Sequence, residues 1–217
     1  RKTSRILRLI QFRLKEKLSK QKEVKAVCDE LDRRDFLVKA AAIAVASPLT
    51  MLFPEFAQAT TTNNFWTKDR VLNLARPQSK EAKSITYWRN GQWDEAAYKQ
   101  VCWLLRDVVG GNVAVKMNVD LINSMFAQQE WLRMLGRSNP QMVIHSGYRT
   151  KAHNSRIEGA ARNSEHLFGN AIDFHMKQSS INELLEMAHM LKIGGVGAYN
   201  TYIHLGIGSY RSWDKRR

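Results

Sequence analysis

Two histidines and one aspartate are the residues of this sequence best suited to hold a metal ion together. His166 and Asp173 stand seven positions apart in NSEHLFGNAIDFHM (residues 163–176), and His204 follows in YIHLGIG (residues 202–208). A zinc site that does chemistry keeps three protein ligands and leaves a fourth position for water, and imidazole nitrogen and carboxylate oxygen suit that role. The three residues therefore predict one zinc site.

The residues between His166 and Asp173 fit such a site. Gly169 allows the backbone to approach closely, and Ala171 is small. Asp173 itself stands in an apolar strand-like run, where a lone buried carboxylate would be costly and a cation would offset that cost. His204 has apolar neighbours as well, so we expect both residues to lie on strands that bring them to the same ion.

Periodicity and turn residues predict the elements that position these ligands. Apolar residues recur at three- and four-residue steps from Asp94 to Gly110 and from about Asp120 to Leu135, which predicts two helices. A capping box formed by a serine and a glutamate three residues apart predicts a third. Short runs predict the strands RVLNLAR, as an edge strand (70–76), QMVIHSGYR (141–149), NAIDFHM (170–176), GVGAY (195–199) and TYIHLGIG (201–208). The order predicts an α+β domain, with helices packed on a small, mainly antiparallel sheet that carries the zinc site.

Residues 1–59 are predicted to be a basic leader with a twin-arginine export signal. Arg33 and Arg34 precede an uncharged apolar run, and Ala57 and Ala59 supply a small-x-small cleavage site. The apolar run is shorter than the roughly 20 residues that a membrane span needs, so we expect no stable transmembrane span. The alternative is an ordinary buried helix after a basic amphipathic one.

Residues 60–69 are predicted to be a polar linker, and residues 70–217 the folded domain. From Thr60 onward the chain has 21 basic and 13 acidic residues, a net charge of +8, which suits an anionic partner such as a cell-wall polymer. Nucleic acid is not expected, because the basic residues form no clear cluster interleaved with aromatics. Cys28 lies in the leader, so Cys102 cannot form an internal disulfide and is predicted to be a buried thiol.

Several motifs resemble one family of metallopeptidases. The pattern S-x-H-x-x-G-x-A-x-D is matched in full at residues 164–173, S-G-Y-R at 146–149, G-G-V-G at 194–197, and R-x-W at 211–213. With similar stretches upstream, the resemblance covers about residues 70–213. The chain resembles the zinc D,D-carboxypeptidase and D-Ala-D-Ala dipeptidase group and, within it, the murein endopeptidase K branch, where twin-arginine export also occurs.

The resemblance implies roles for five residues. It implies a Zn²⁺ ion held by His166, Asp173 and His204, which makes residues 70–217 a zinc peptidase-like domain. It implies that Arg149 is catalytic and substrate-binding, because a permanently charged planar fork can bind or polarise the scissile peptide or its carboxylate. Ser164 has two open interpretations, since it could orient the substrate or cap the turn.

The sequence departs from the family at the general base. The family has an Asp or Glu three residues before the last histidine ligand, where this chain has Thr201, and the relatives have an Asp two residues after it, where this chain has Gly206. A threonine cannot act as a base near neutral pH, and such a base contributes about 10²–10⁴-fold to the rate. Three hypotheses stay open: a hydrolase with another base (Glu165, His145 or His175), a weakened enzyme, and a catalytically silent domain.

The sequence therefore predicts an exported zinc metallopeptidase-like protein that hydrolyses peptide bonds involving D-amino acids in peptidoglycan stem peptides or cross-links. Its expected partners are peptidoglycan peptides and, for the leader, the twin-arginine export machinery. Its expected location is the periplasm or another exported site. The alternative function is a zinc-containing peptidoglycan-binding domain without turnover, because Thr201 replaces the expected acid.

Overall fold

The computed structural model describes residues 64–217, so the predicted leader and the first residues of the predicted linker lie outside the described residues. Residues 66–217 form one compact α+β unit, which confirms the predicted fold class. The described α-helices are α1 (Asn64–Thr67), α2 (Glu95–Leu104), α3 (Val119–Met134), α4 (Lys151–Asn154) and α5 (Ile181–Leu191). Two 3₁₀ helices span Pro77–Ser79 and Glu165–Phe168. None of the helices within residues 64–217 has the length and apolarity that crossing a membrane requires.

The strands of residues 64–217 form one eight-stranded sheet in the order β3-β2-β1-β4-β5-β7-β6-β8. They are β1 (Arg70–Arg76), β2 (Glu81–Arg89), β3 (Gln92–Trp93), β4 (Met142–Ser146), β5 (Ala171–Met176), β6 (Gly195–Ala198), β7 (Ile203–Gly206) and β8 (Arg211–Asp214). Strand β1 runs parallel to β4, and β6 runs parallel to β8, whereas the other neighbours are antiparallel. The sheet is therefore larger than the small sheet that was predicted, and it is mixed, although most of its pairings are antiparallel as predicted.

The prediction of β1 as an edge strand was wrong. Strand β1 lies between β2 and β4, and its Leu72 and Leu74 are fully buried. Its parallel pairing with β4 joins segments almost 70 residues apart, with Leu74 opposite Met142. Alternation along seven residues cannot report such a long-range pairing, because it describes only the two faces of one strand.

Helices α2 and α5 begin where the sequence predicts, but α2 ends earlier than predicted. The Asp94 side chain accepts a hydrogen bond from the Ala97 amide at 2.9 Å, and Ser180 accepts one from the Glu183 amide at 3.2 Å. Helix α2 ends at Leu104 instead of near Gly110. The Leu105 carbonyl accepts a hydrogen bond at 2.8 Å from the amide of Tyr148, a residue far along the chain. This carbonyl therefore does not continue the hydrogen bonding of the helix.

The two faces of the sheet around β5 and β7 have opposite character. Helix α5 packs on β5, β6 and β7, and the alternate residues Phe174 and Ile203 are fully buried. Because successive side chains of a strand point to opposite faces, Asp173 and His204 belong to the other face. The chain thus uses one face of these strands for its core and the other for polar side chains.

Cys102 is a buried free thiol, as predicted. Its sulfur accepts a hydrogen bond from the Met117 amide at 3.4 Å. Burial raises the pKa of Cys102, so the thiol stays protonated and serves packing.

Candidate metal centre

Three different elements bring the predicted ligands to one place. His166 lies on the 3₁₀ helix Glu165–Phe168, Asp173 on β5 and His204 on β7. Asp173 and His204 are direct partners in the antiparallel register of β5 and β7. Directly opposite residues carry their side chains on the same face, about 5 Å apart, so the register alone makes these two side chains neighbours.

The three side chains meet with donor atoms close together. Asp173 Oδ1 lies 2.9 Å from His204 Nδ1 and 3.3 Å from His166 Nε2, and the two ring nitrogens are 3.2 Å apart. Asp173 is 5% exposed, His204 8% and His166 1%. The donor atoms of a tetrahedral zinc site with ligand bonds of about 2.0–2.1 Å lie roughly 3.3 Å apart. The cluster therefore fits a zinc ion in both ligand type and spacing.

A backbone carbonyl fixes the proton of His166. The Nδ1 atom of His166 lies 2.6 Å from the Gly147 carbonyl oxygen. A carbonyl can only accept, so Nδ1 carries the hydrogen and Nε2 offers its lone pair to the cluster. A Cβ atom on Gly147 would lie 2.2 Å from the Leu105 oxygen, so only glycine allows this close approach.

Opposing effects act on the pKa values of Asp173 and His204 and favour the charge states that a metal requires. Burial would raise the pKa of Asp173, but His166 and His204 hold that pKa well below its usual range. Burial lowers the pKa of His204, although the neighbouring Asp173 opposes this effect. An ionised carboxylate and a neutral imidazole are the forms that bind a metal ion.

Arg149 lies against the cluster. Its Nη2 group forms an ion pair with Asp173 Oδ2, and its Nε group donates to Ser146 Oγ at 2.7 Å. Its backbone amide donates to the His166 carbonyl oxygen at 3.0 Å. The structure thus places Arg149 beside the ligands, and a role in binding substrate stays a prediction.

Ser164 caps the turn that carries His166. Its Oγ atom accepts a hydrogen bond from the His166 amide at 3.4 Å, and Ser164 is the N-cap of the 3₁₀ helix. This contact accounts for one of the two interpretations of Ser164. Contact between Ser164 and a substrate stays a prediction.

The candidate bases His145, His175 and Glu165 have hydrogen-bond partners other than the ligands of the cluster. Thr201 is exposed in the turn between β6 and β7. His145 Nε2 and His175 Nδ1 lie 2.7 Å apart and bond to each other, and Glu165 accepts from the Asn170 side chain at 3.0 Å. Within residues 64–217, none of these side chains hydrogen-bonds to a ligand of the cluster.

An aromatic flank, which we define as Tyr199, Tyr202 and Trp213, borders the cluster on the β7 side. The two tyrosine rings are stacked with centroids 4.5 Å apart, and Trp213 Nε1 donates to the Tyr199 hydroxyl at 3.2 Å. The Trp213 ring centroid is 5.2 Å from that of His204. Burial, and then the charge of Asp173, raise the pKa of Tyr202 to about 12.

Sequence reasoning missed most of this flank. The R-x-W match singled out Trp213, but neither tyrosine was named as part of the site. The signal that could have found Tyr202 is its position two residues before His204, because residues i and i+2 of a strand share a face.

Comparisons with known proteins show which family this chain is similar to. The family model described as "Peptidoglycan L,D-endopeptidase MepK" matches residues 65–213. The probable peptidoglycan L,D-endopeptidase MepK of Haemophilus influenzae is 30% identical over 152 residues, which cover 67% of this chain and 80% of that protein. The peptidoglycan L,D-endopeptidase MepK of Escherichia coli K12 is 34% identical over 166 residues, which cover 74% of this chain and 86% of the relative.

Proposed function

Because the chain belongs to the peptidoglycan L,D-endopeptidase MepK family, we propose that it is an exported zinc hydrolase of peptidoglycan peptides. Its substrates would be peptide bonds that involve D-amino acids, in stem peptides or cross-links. The names of the relatives support bonds between an L- and a D-residue as the first class to test.

The observation that carries this proposal is the convergence of His166 Nε2, Asp173 Oδ1 and His204 Nδ1 within 3.3 Å of one another. These three atoms would hold the zinc ion. A zinc ion in such a site supplies Lewis-acid chemistry, which polarises a peptide carbonyl and lowers the pKa of a water molecule to about 7. The buried setting of the ligands strengthens these electrostatic effects.

Arg149 would bind the substrate beside the ligands. Its contacts with Asp173 and with Ser146 fix the direction of the guanidinium group. The remaining N–H groups of a planar fork can then donate to a carbonyl or a carboxylate of the peptide. A donor fixed before the substrate arrives costs little reorganisation when charge develops on the substrate oxygen.

Export is part of the proposal because peptidoglycan lies outside the cytoplasm. The twin-arginine pattern at Arg33 and Arg34 supports transport through the twin-arginine machinery to the periplasm or another exported location.

A second candidate function is binding of peptidoglycan peptides without turnover. The observation that favours it is the turn before β7, where Thr201 is exposed and the neighbouring flank is aromatic. A domain of this kind would keep the ion and Arg149 for binding but would lack a group that removes the proton from water.

Metal analysis followed by a cleavage assay tests these two functions. Purified protein is analysed for zinc and then incubated with muropeptides of defined stereochemistry, with and without a chelator. Products that form only without the chelator support the hydrolase. Tight binding of muropeptides with no products supports the binding domain. Well-folded protein free of zinc after growth with sufficient metal would refute both functions.

A further inference from the structure

Asp107 is a buried carboxylate that the proposed chemistry does not use. It is 1% exposed and accepts four hydrogen bonds. Its Oδ2 atom accepts from the Thr150 amide at 2.8 Å and the Thr150 hydroxyl at 2.9 Å, and its Oδ1 atom accepts from the Gly110 amide at 2.7 Å. The fourth donor is His153 Nδ1, at 2.8 Å. Such a complete set of partners indicates a carboxylate with a fixed structural task.

The residues that Asp107 holds lie beside Arg149. Thr150 follows Arg149 directly and begins α4, with its own side chain capping that helix through the His153 amide. Two residues before Asp107, the Leu105 carbonyl accepts from the Tyr148 amide at 2.8 Å. Residues 105–107, which we call the bracket, therefore bind the chain on both sides of Arg149.

The bracket also reaches the ligand His166. Gly147 packs directly on the Leu105 backbone, and its carbonyl is the acceptor for His166 Nδ1. The Arg149 amide donates to the His166 carbonyl. Within residues 147–150, Tyr148 and Thr150 thus bond to the bracket, whereas Gly147 and Arg149 bond to His166.

We propose that Asp107 is a positioning residue that, through Thr150 and the bracket, sets the place of Arg149 and the orientation of His166. The inference rests on the proposed function for its catalytic consequence. The Asp107 carboxylate bonds to Gly110, Thr150 and His153 and not to a ligand atom, so it would act through residues 147–150. Removing its carboxylate would leave the half-buried Thr150 amide without its acceptor and would free the run that bears Arg149.

Amide hydrogen exchange tests the positioning directly, with or without metal. In the natural chain, backbone N–H groups of Gly110 and Thr150 donate to the Asp107 carboxylate. In Asp107→Asn, one of these donors would face the NH₂ group of the new side chain, which cannot accept its hydrogen bond. We expect exchange at Arg149 and Tyr148 to become at least about tenfold faster, although neither amide bonds to Asp107 itself. The matched control is Asp94→Asn, because Asp94 also caps a backbone amide, at the start of α2.

Further variants keep the test decisive if Asp107→Asn folds poorly. Thr150→Ser retains the hydroxyl donor to Asp107 and should behave like the natural chain, whereas Thr150→Val loses it and should accelerate exchange. Gly110→Ala would place a Cβ atom 2.0 Å from Asp107 Oδ2, so it displaces the carboxylate without removing it and should act in the same direction as Thr150→Val.

Function supplies the second readout. Loss of a partner that orients a metal ligand typically lowers metal affinity or activity by about 10–100-fold. We expect Thr150→Val and Asp107→Asn to weaken zinc binding and to lower kcat/KM by such a factor, with Thr150→Ser and Asp94→Asn near the natural values. A purely structural role would lower the melting temperature while leaving zinc affinity and the kcat and KM of the folded fraction unchanged.

The outcomes separate this inference from the proposed function. Faster exchange at Thr150 alone, with Arg149 and Tyr148 unchanged and zinc affinity within twofold, would overturn the role of Asp107. Natural protein that neither binds zinc nor cleaves muropeptides would refute the proposed function, and the exchange comparison would still decide whether Asp107 positions Arg149.

Discussion

The two sides of the His166–Asp173–His204 cluster differ in chemistry. On the β4 side, which we call the polar flank, Ser146 offers a hydroxyl and Arg149 a guanidinium group that contacts both that hydroxyl and Asp173. On the β7 side, the aromatic flank offers stacked rings and two hydroxyls. The polar flank can bind and polarise a peptide, whereas the aromatic flank mainly offers surface for packing against one.

For the proposed hydrolase, the difference separates the donors that would position a substrate from the side where a base is expected. Positioning and electrostatic stabilisation need fixed donors, and the polar flank has them. Removal of a proton from water needs a group with a pKa near the working pH. The raised pKa of Tyr202, about 12, makes its hydroxyl a poor acceptor of that proton. The turn before β7, which carries Thr201, is therefore the place to add an acid in a test for a missing base.

The largest effect is expected from removing one of the three proposed metal ligands. His204→Ala should lower bound zinc to near zero and reduce the rate by at least about 10³-fold, because several kcal/mol of transition-state stabilisation are lost. Zinc analysis and the cleavage assay measure both quantities. The control is His189→Ala, since His189 lies on α5 and contacts the Tyr210 hydroxyl. Retention of zinc and full activity in His204→Ala would exclude the cluster as the metal site.

Adding an acidic residue to the turn before β7 tests directly whether the chain lacks a general base. If the chain lacks a base, Thr201→Glu should raise kcat by about 10²-fold or more, as a positioned general base does. Asn200→Glu is the control, because it adds the same charge one residue away and should have little effect. An active natural protein with no gain in Thr201→Glu would show that another side chain, among them Glu165, His145 and His175, removes the proton.

Replacing the cation of the polar flank tests its geometry rather than its charge. Arg149→Lys should lower kcat/KM by about 10–100-fold, because lysine keeps the charge but loses the planar fork that contacts Asp173 and Ser146 together. Steady-state kinetics on a defined muropeptide measure this effect. Arg162→Lys, at an exposed position, is the control and should behave like the natural chain. Equal kinetics in Arg149→Lys would mean that charge alone matters at this position.

Crowding the aromatic flank should affect stability. A Cβ atom at Gly197 would lie 2.4 Å from the Trp213 ring, so Gly197→Ala forces that ring away from His204. Such overpacking costs about 1–3 kcal/mol of unfolding free energy, measurable by urea denaturation. Gly206→Ala is the milder comparison, because the nearest atom to its Cβ would be 3.2 Å away. Equal stability of the two variants would show that Trp213 does not pack firmly on β6.

The smallest effect is a change in the pH dependence of stability. Burial, and then His175, lower the pKa of His145 below its usual value near 6.5. As the pH falls below about 6.5, the unfolded chain gains a proton at this residue before the folded chain does, so stability decreases. His145→Gln should make the fall in urea midpoint between pH 7 and pH 5.5 shallower. An unchanged slope would show that His145 titrates alike in both states.

Much of the ligand cluster could be predicted because the information is local. The turn around Gly169 and the alternation along β5 and β7 fix where His166, Asp173 and His204 point, and adjacent antiparallel strands then bring them together. The cap at Ser180 is local in the same sense. Local patterns of a few residues were therefore sufficient to predict that these three side chains lie together.

The remaining features depend on contacts between distant segments. The inner position of β1 depends on β4, and the early end of α2 depends on Tyr148, which takes the Leu105 carbonyl. The task of Asp107 depends on Thr150, 43 positions away. No spacing rule connects such residues, because their partners are chosen only when the tertiary structure forms.

The direct pairing of Asp173 with His204 also limits how this protein can change its length. A single inserted or deleted residue within β5 or β7 would shift the register by one and turn one ligand toward the buried side of the sheet. The turn at Asn200 and Thr201 is exposed and lies outside the strands. Extra residues there would leave the register of β5 and β7, and thus the pairing of Asp173 with His204, unchanged. A library of insertions should accordingly keep metal binding at that turn and lose it within either strand.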